Sequence, residues 1–312
     1  MVPCYKNLSP ADWRQKLDFF QEHYSPCRLC PRQCAAERES DQAGFCQARQ
    51  DVKIASHNLH HGEEPPLSGS RGSGTVFFSG CTLNCLFCQN YPLSQLFHGE
   101  FISISRLAAI FLSLQKRGAH NINLVSPTPY LFHIVSALEI ACAKGLRIPL
   151  VYNTSGYERA EVVAGLSGIV DIYLPDLKYG PAEESRRLGL RLSGVNDYHE
   201  NAVAAIGEMF RQTGPLLLDE AGIAVRGTVI RHLIIPGQVE NSIAVLQTIA
   251  AGSFREAWLS LMSQYFPAHR ALDCPPFDRC LRPDEYALVR DEALKLGLEN
   301  GWFQDLEPCS KF

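Results

Sequence analysis

From residue 75 to about 265 the chain alternates short apolar runs with longer stretches whose apolar residues recur at helical spacing. The runs 75–79, 121–125, 148–152, 169–174, 226–235 and 256–262 have the length and composition of strands. Between them lie amphipathic stretches at 104–117, 130–144, 157–165, 195–213 and 239–251, the first opening at Ser105 and Arg106 and stopped by Gly118. Strands alternating with helices predict an α/β fold, a parallel sheet with helices outside. Six such units are too few for a full eight-stranded barrel and predict a partial (β/α)6 TIM-like barrel. One more helix is predicted over Asp284–Leu296, opened by Pro283, before a tail to Phe312.

Three zones follow. Residues 1–70 form a Cys-, Arg- and His-rich N-terminal extension, and the Gly- and Pro-dense stretch 62–74 marks a connecting loop. Residues 71–265 form the barrel core, and 266–312 a small C-terminal helical tail. A net charge of −4 without a Lys/Arg run argues against a nucleic-acid-tracking surface and an anionic-membrane binder. The N-terminus lacks the apolar stretch of a signal peptide, and no window reaches the roughly 18 apolar residues of a membrane span. The expectation is a cytoplasmic protein. Twelve cysteines, clustered at metal-ligand spacings, predict metal sites in a reducing compartment rather than disulfides.

Cys81, Cys85 and Cys88 stand in C-x3-C-x2-C spacing just after the strand-like run Thr75–Ser79. A structural zinc site wants four ligands, and a four-thiolate cluster fills every iron. Three thiolates on one tight loop suit a [4Fe–4S] cluster with one iron left open. A second set, Cys27, Cys30, Cys34 and Cys46, places four thiolates within twenty residues. That is a competent metal site for zinc or for an auxiliary iron–sulfur cluster, and spacing alone does not choose between them. His57, His60 and His61 read as solvated loop histidines and Cys142 as a packed core thiol. Cys4, Cys274, Cys280 and Cys309 form no strong ligand set.

The three-cysteine loop resembles the signature of the radical S-adenosylmethionine (SAM) superfamily. The resemblance implies a cluster whose open iron is chelated by SAM, reductive cleavage of SAM, and a 5′-deoxyadenosyl radical that abstracts hydrogen. Phe87 stands where that superfamily has an aromatic beside SAM. Nearly the whole chain is similar to the pyruvate formate-lyase activating enzyme family, in an activating-enzyme-like branch. This rests on the N-terminal four-cysteine set, Gly62-Glu63-Glu64-Pro65-Pro66, Cys88-Gln89-Asn90, Asn121–Thr128, Tyr152–Tyr157, Asp171–Lys178, Arg231–Gly237 and Met262–Pro267.

The resemblance implies roles position by position. Asp176 and Lys178 match an Asp-Leu-Lys motif used at SAM and at a monovalent cation; a lysine ammonium suits the SAM carboxylate and an aspartate oxygen a hard cation. Asn153 replaces an aspartate there. Ser126 and Thr128 fall where the superfamily has Gly-Gly-Glu, which takes the SAM amino group, so the glutamate is missing. Gln89, Arg231 and His269 are further candidate SAM contacts. The implied partners are a glycyl-radical enzyme or another protein or peptide substrate, and an electron donor such as flavodoxin or ferredoxin. The rival reading is a non-catalytic iron–sulfur or zinc scaffold that has lost SAM cleavage, which the missing glutamate favours. RNA modification, a third reading, is disfavoured by the acidic balance.

Overall fold

The computed structural model describes residues 2–306; Cys309 and the last six positions of the predicted tail, 307–312, lie outside the described residues. The strands are β1 (Val52–His60), β2 (Ser73–Phe78), β3 (Glu100–Ile102), β4 (Ile122–Val125), β5 (Leu150–Thr154), β6 (Ile172–Pro175), β7 (Leu217–Leu218), β8 (Ala224–Leu233), β9 (Trp258–Met262) and β10 (Gly301–Phe303). Their order is β10-β9-β8-β6-β5-β4-β2-β1-β3, with β7 paired to β8. Six of them, β2, β4, β5, β6, β8 and β9, run parallel in a row and overlap the six expected strands. They form the partial barrel. Helices Ile104–Lys116, Leu131–Ala143, Ala160–Gly165, Tyr198–Thr213 and Val239–Ala251 lie where the amphipathic pattern puts them.

Strand periodicity sorts side chains between two layers. In β5, Leu150 and Tyr152 belong to the outer core beneath the helices, while Val151 packs in a separate lumen cluster with Ile172, Leu174 and Val229. Asn153, next on the lumen face, lines a cavity instead. The polar residues of these strands thus mark the inside of the barrel.

The first 70 residues are woven into this architecture. Helix Pro10–Tyr24 starts at a capping box, in which the Asp12 N–H donates to Ser9 Oγ (3.2 Å) and the Ser9 N–H to Asp12 Oδ2 (2.8 Å). Trp13 and Phe20 from it, with Cys27 and Val52, share one hydrophobic core with Phe111, Leu131 and Tyr152. His57 and His60, expected in a loop, lie on β1, which pairs antiparallel with β2. Because β1 ends where β2 begins, with His60 opposite Ser73, the loop Gly62–Glu64 meets the barrel at the end away from the cysteine loop. Among the described residues no helix is long and apolar enough to cross a membrane.

Candidate active site

The loop that leaves the C-terminal end of β2 carries Cys81, Cys85 and Cys88, and all three open on one cavity of about 560 Å³. That volume is in the range of small-molecule sites. The loop turns at Gly80, φ +88°, where a Cβ would stand 2.2 Å from the Cys46 carbonyl oxygen. Each sulfur has a polar neighbour: the Leu83 N–H donates to Cys81 Sγ (3.4 Å), Ser193 Oγ lies 3.0 Å from Cys85 Sγ, and Ser94 Oγ lies 3.2 Å from Cys88 Sγ. Burial pushes the Cys81 thiol up to about 12 and the Cys85 thiol up to about 11, opposed in both by the Lys178 ammonium. Among the described residues no three His, Cys, Asp or Glu side chains gather closely enough to hold one metal ion. Three thiols on one cavity wall are the donor set a cluster with one open iron requires.

Charged residues from the strand ends line the rest of the cavity. Lys178 pairs with Asp176, and both side chains are largely buried. Burial works against the Lys178 charge, yet Asp176 and the neighbouring Cys85 hold its pKa above the ordinary value. The backbone beneath them is fixed from both sides: Tyr198 OH donates to the Asp176 carbonyl (2.9 Å) and Asn241 Nδ2 to the Lys178 carbonyl (2.9 Å). Asn153 and Ser126 follow on β5 and β4. The Ser126 N–H donates to the Asn153 carbonyl (3.0 Å), and Ser126 itself sits at φ +57°. That left-handed conformation is one glycine adopts without strain, so the backbone keeps a glycine-like bend where the sequence has serine.

The main feature that spacing did not reveal is the carboxylate pair Glu63 and Glu64. Arg231, on β8, donates from Nε to Glu64 Oε1 (2.7 Å) and from Nη2 to Glu64 Oε2 (2.6 Å), and also pairs with Glu63. Glu63 in turn accepts from Asn123 Nδ2 (2.9 Å). Burial opposes ionisation of Glu64, but the Arg231 guanidinium overrides it and holds the carboxyl below the ordinary range. Two carboxylates thus face one guanidinium at the base of the cavity. Of the two carboxylates only Glu63 lines the cavity, where the acidic residues Glu63 and Asp176 are matched by the basic Lys178 and Arg231.

Other expected residues are distributed around this centre. Phe87 and Gln89 line the cavity; Phe87 packs near Tyr265 with ring centroids 5.8 Å apart, and Gln89 Nε2 donates to the Gln264 carbonyl (3.1 Å). Thr128 is absent from its wall. It lies in an adjoining crevice with Cys81, Ser126 and Thr154 and donates to Glu158 Oε1. Glu158 is fully buried, and burial pushes its carboxyl up to about 7 against the hydroxyls of Thr128, Thr154 and Tyr152. His269 also lies off the cavity wall, stacked on Tyr91 at 4.5 Å with Nε2 3.1 Å from Gln95 Oε1.

The four N-terminal cysteines meet elsewhere, around a void of about 10 Å³ that Arg32, Arg38, Phe45 and Thr82 also line. Arg38 Nη2 lies 3.5 Å from Cys46 Sγ, so a guanidinium sits among them. Among the described residues ten cysteines are free, including all seven of the two motifs, whereas Cys280 is disulfide-bonded, against the expectation of metal sites alone.

Parallel (β/α) barrels work at the C-terminal ends of their strands, and the cavity lies there; the fold class is that of a barrel enzyme. The chain belongs to the radical SAM superfamily, whose profile matches residues 75–248, more than half of its length. Membership brings SAM and a [4Fe–4S] cluster as cofactors and SAM-cleaving radical chemistry as the reaction class. Two relatives come from Methanocaldococcus jannaschii. The uncharacterized protein MJ0674 is 28% identical over 91% of this chain and 79% of its own length, and the uncharacterized protein MJ0808 is 23% identical over 86% and 78%. Among solved structures, native anSMEcpe with bound AdoMet and Cp18Cys peptide aligns at a TM-score of 0.46 and 12% identity, over 70% of this chain. Hexahistidine-tagged anSMEcpe with bound AdoMet aligns at 0.41 and 14%, over 68%. The chain covers 56% and 55% of those two chains.

Proposed function

We propose that Cys81, Cys85 and Cys88 hold the [4Fe–4S] cluster, that SAM occupies the adjoining cavity, and that the hydrogen abstracted comes from a glycine of a partner protein, as in glycyl-radical activating enzymes. The observation that carries the reading is the meeting of three loop thiols with a cavity walled by side chains of both charges, Glu63, Asp176, Lys178 and Arg231. SAM, with its sulfonium, ammonium and carboxylate, has a net charge of +1. When bound, the cluster and SAM supply one electron and the sulfonium C–S bond it breaks, and with them a hydrogen-abstracting carbon radical.

This chain's residues do the rest. The Lys178 ammonium takes the SAM carboxylate, held in place by Asp176. Glu63, on the same cavity wall, is held by Arg231 and Asn123. Phe87, Leu83, Leu233 and Met262 supply the apolar wall that keeps water out. Gln89, Asn90 and Gln264 on the same cavity are amide side chains, which pair with a peptide backbone as donors and acceptors at once. A flavodoxin or ferredoxin in the cytoplasm would deliver the electron.

Protein reconstituted without oxygen, reduced with dithionite and given SAM should yield 5′-deoxyadenosine by mass spectrometry, and the Cys81→Ala/Cys85→Ala/Cys88→Ala variant none. Addition of a glycyl-radical enzyme such as pyruvate formate-lyase should then produce a glycyl-radical EPR signal. No nucleoside product, with no effect of SAM on the reduced cluster's EPR spectrum, would favour the non-catalytic scaffold. Nucleoside without a glycyl radical would leave SAM cleavage standing and remove the glycine acceptor tested.

A further inference from the structure

The loop Cys81–Cys88 has a cavity side and a solvent side. Cys81, Leu83, Cys85, Phe87 and Cys88 line the cavity, whereas Asn84 is absent from its wall and exposed. SAM and a substrate take up the cavity, so an electron for the cluster enters from the solvent side of the loop.

The backbone makes that side a short route. The Asn84 N–H donates to the Ser193 carbonyl (3.1 Å) and the Leu86 N–H to the Leu192 carbonyl (2.8 Å), both at the C-terminal end of helix Glu183–Ser193. Ser193 Oγ in turn lies 3.0 Å from Cys85 Sγ. One residue thus joins the last turn of this helix, where Leu190 and Arg191 are exposed, to the Cys85 sulfur.

Three arginines gather over this side of the loop. Arg270 Nη2 donates to the Asn84 carbonyl (2.8 Å) and to its Oδ1 (3.1 Å). Arg32 donates from Nε to the Thr82 carbonyl (2.6 Å) and from Nη2 to the Gly194 carbonyl (3.2 Å). Arg191 reaches the segment that carries Arg270, with Nη2 3.3 Å from Cys274 Sγ. Their polar partners are carbonyl, amide and thiol groups, and among the described residues none of the three forms an ion pair. Arg186 and Arg187, on the same helix as Arg191, by contrast pair with Glu200 and Glu183. A chain of net charge −4 therefore presents three uncompensated positive charges over its cysteine loop.

Exposed apolar side chains accompany them. Phe45 carries the Arg32 guanidinium on its ring face at 3.4 Å, Leu190 precedes Arg191, and Leu272, 59% exposed, follows Arg270 by two residues. Apolar groups set among arginines are the anatomy of a protein interface. A nucleic-acid binder neutralises on the order of 6–10 phosphates, and three arginines on an acidic chain suit a protein partner better.

We propose that this face, centred on Asn84 and bounded by Arg32, Arg191 and Arg270, docks an acidic one-electron carrier protein. The proposal rests on the reading that Cys81, Cys85 and Cys88 hold the cluster. One electron passes from the reduced carrier to the cluster; the carrier is oxidised by one equivalent, the cluster is reduced by one, and no bond or proton moves. Opposite charges steer the carrier onto the loop and raise its association rate.

The test uses the anaerobically reconstituted full chain and flavodoxin, an acidic carrier, in its fully reduced form. Titration calorimetry reads binding, and stopped-flow absorbance reads reduction of the cluster. Wild-type affinity should fall about tenfold between about 0.02 M and about 0.3 M salt. The Arg32→Gln/Arg191→Gln/Arg270→Gln variant keeps donors for the loop carbonyls and loses the three charges. It should bind flavodoxin about tenfold more weakly, and be reduced by it about tenfold more slowly, with little salt dependence left. Dithionite, which needs no docking, should reduce it to the wild-type extent. Arg71, Arg117 and Arg147 are exposed and precede β2, β4 and β5, at the other end of the barrel. Their triple Gln variant removes the same charge and should match wild type. If the first variant loses its iron, Arg191→Glu alone, which bonds no atom of the loop, should still weaken binding severalfold.

Salt-independent binding to wild type, unchanged binding to the first variant, or an equal loss in both triple variants would overturn the proposal. An RNA oligonucleotide that displaces flavodoxin at equal concentration would assign the face to nucleic acid instead. A chain with no dithionite-reducible cluster would remove the reading of the three cysteines and the docking face with it. A reducible cluster with flavodoxin binding unaltered removes the docking face alone.

Discussion

The two cysteine loops lie side by side and are built to opposite ends. Cys81, Cys85 and Cys88 form one wall of a cavity large enough for a cofactor, and its other walls come from strands far along the chain. Cys27, Cys30, Cys34 and Cys46 surround almost no space and face a buried arginine. An open position lets a second molecule bind and react, whereas a closed one fixes charge and shape. The same residue type thus stands in two different surroundings, and the spacing of the cysteines hints at this without stating it.

The largest test of the open site is its base. Arg231→Met leaves Glu63 and Glu64 buried without a counter-charge and should cost about 3–5 kcal/mol. Thermal unfolding under argon checks it; a midpoint within a degree of wild type would show that the floor does not need the arginine. Gly80→Ala probes the seam between the sites, where the added Cβ meets the Cys46 carbonyl in a left-handed conformation. A loss of about 3 kcal/mol is expected, with iron lost from the Cys81, Cys85 and Cys88 loop. Full iron content would show that the loop holds its shape without the bend.

Glu158 is buried between Thr128 and Thr154, and its carboxyl distinguishes charge from packing. Between pH 4.5, its ordinary value, and about 7, the folded protein holds a proton that the unfolded chain has released. Stability therefore falls as pH rises through that window, by about 3 kcal/mol in all, and does not recover above it. Urea unfolding midpoints of Glu158→Gln should lack this slope; a slope equal to wild type would assign it to another group. The smallest effect is expected at Ser126→Gly. Relief of φ +57° is worth about 1–2 kcal/mol, less about 0.4–1 kcal/mol of unfolded-chain entropy. The net gain of about 0.5 kcal/mol would be read from the denaturant midpoint, and a loss would show that the serine hydroxyl matters more than the bend.

Much of this architecture was legible because parallel strands buried on both faces are near-continuous apolar runs. Ser126, Asn153 and Asp176 stand at the C-terminal ends of β4, β5 and β6, and Arg231 lies near the end of β8, so fold and candidate site could be read together. β1 was obscured because a register irregularity between Ile54 and Ser56 breaks its alternation, and because histidines 57, 60 and 61 suggest a loop. Helix Pro10–Tyr24 is polar over much of its length, and its real signal was the Ser9–Asp12 cap rather than an apolar stripe. The link from Glu63 and Glu64 to Arg231 spans some 167 residues of chain, beyond the reach of any spacing rule. Gly62-Glu63-Glu64-Pro65-Pro66 was visible as a motif, but only the antiparallel return of β1 carries it to the barrel.

A wall assembled from distant segments has a consequence for how the protein is made. All seven thiols of the two loops belong to the first 88 residues, and Gln264, on the far side of the cavity, is added 176 residues after Cys88. At the usual 5–20 residues per second of synthesis, that interval is roughly 10–35 s. Throughout it the sulfurs emerge from the ribosome ahead of the strands that will shelter them, so the pace of translation sets how long they wait uncovered.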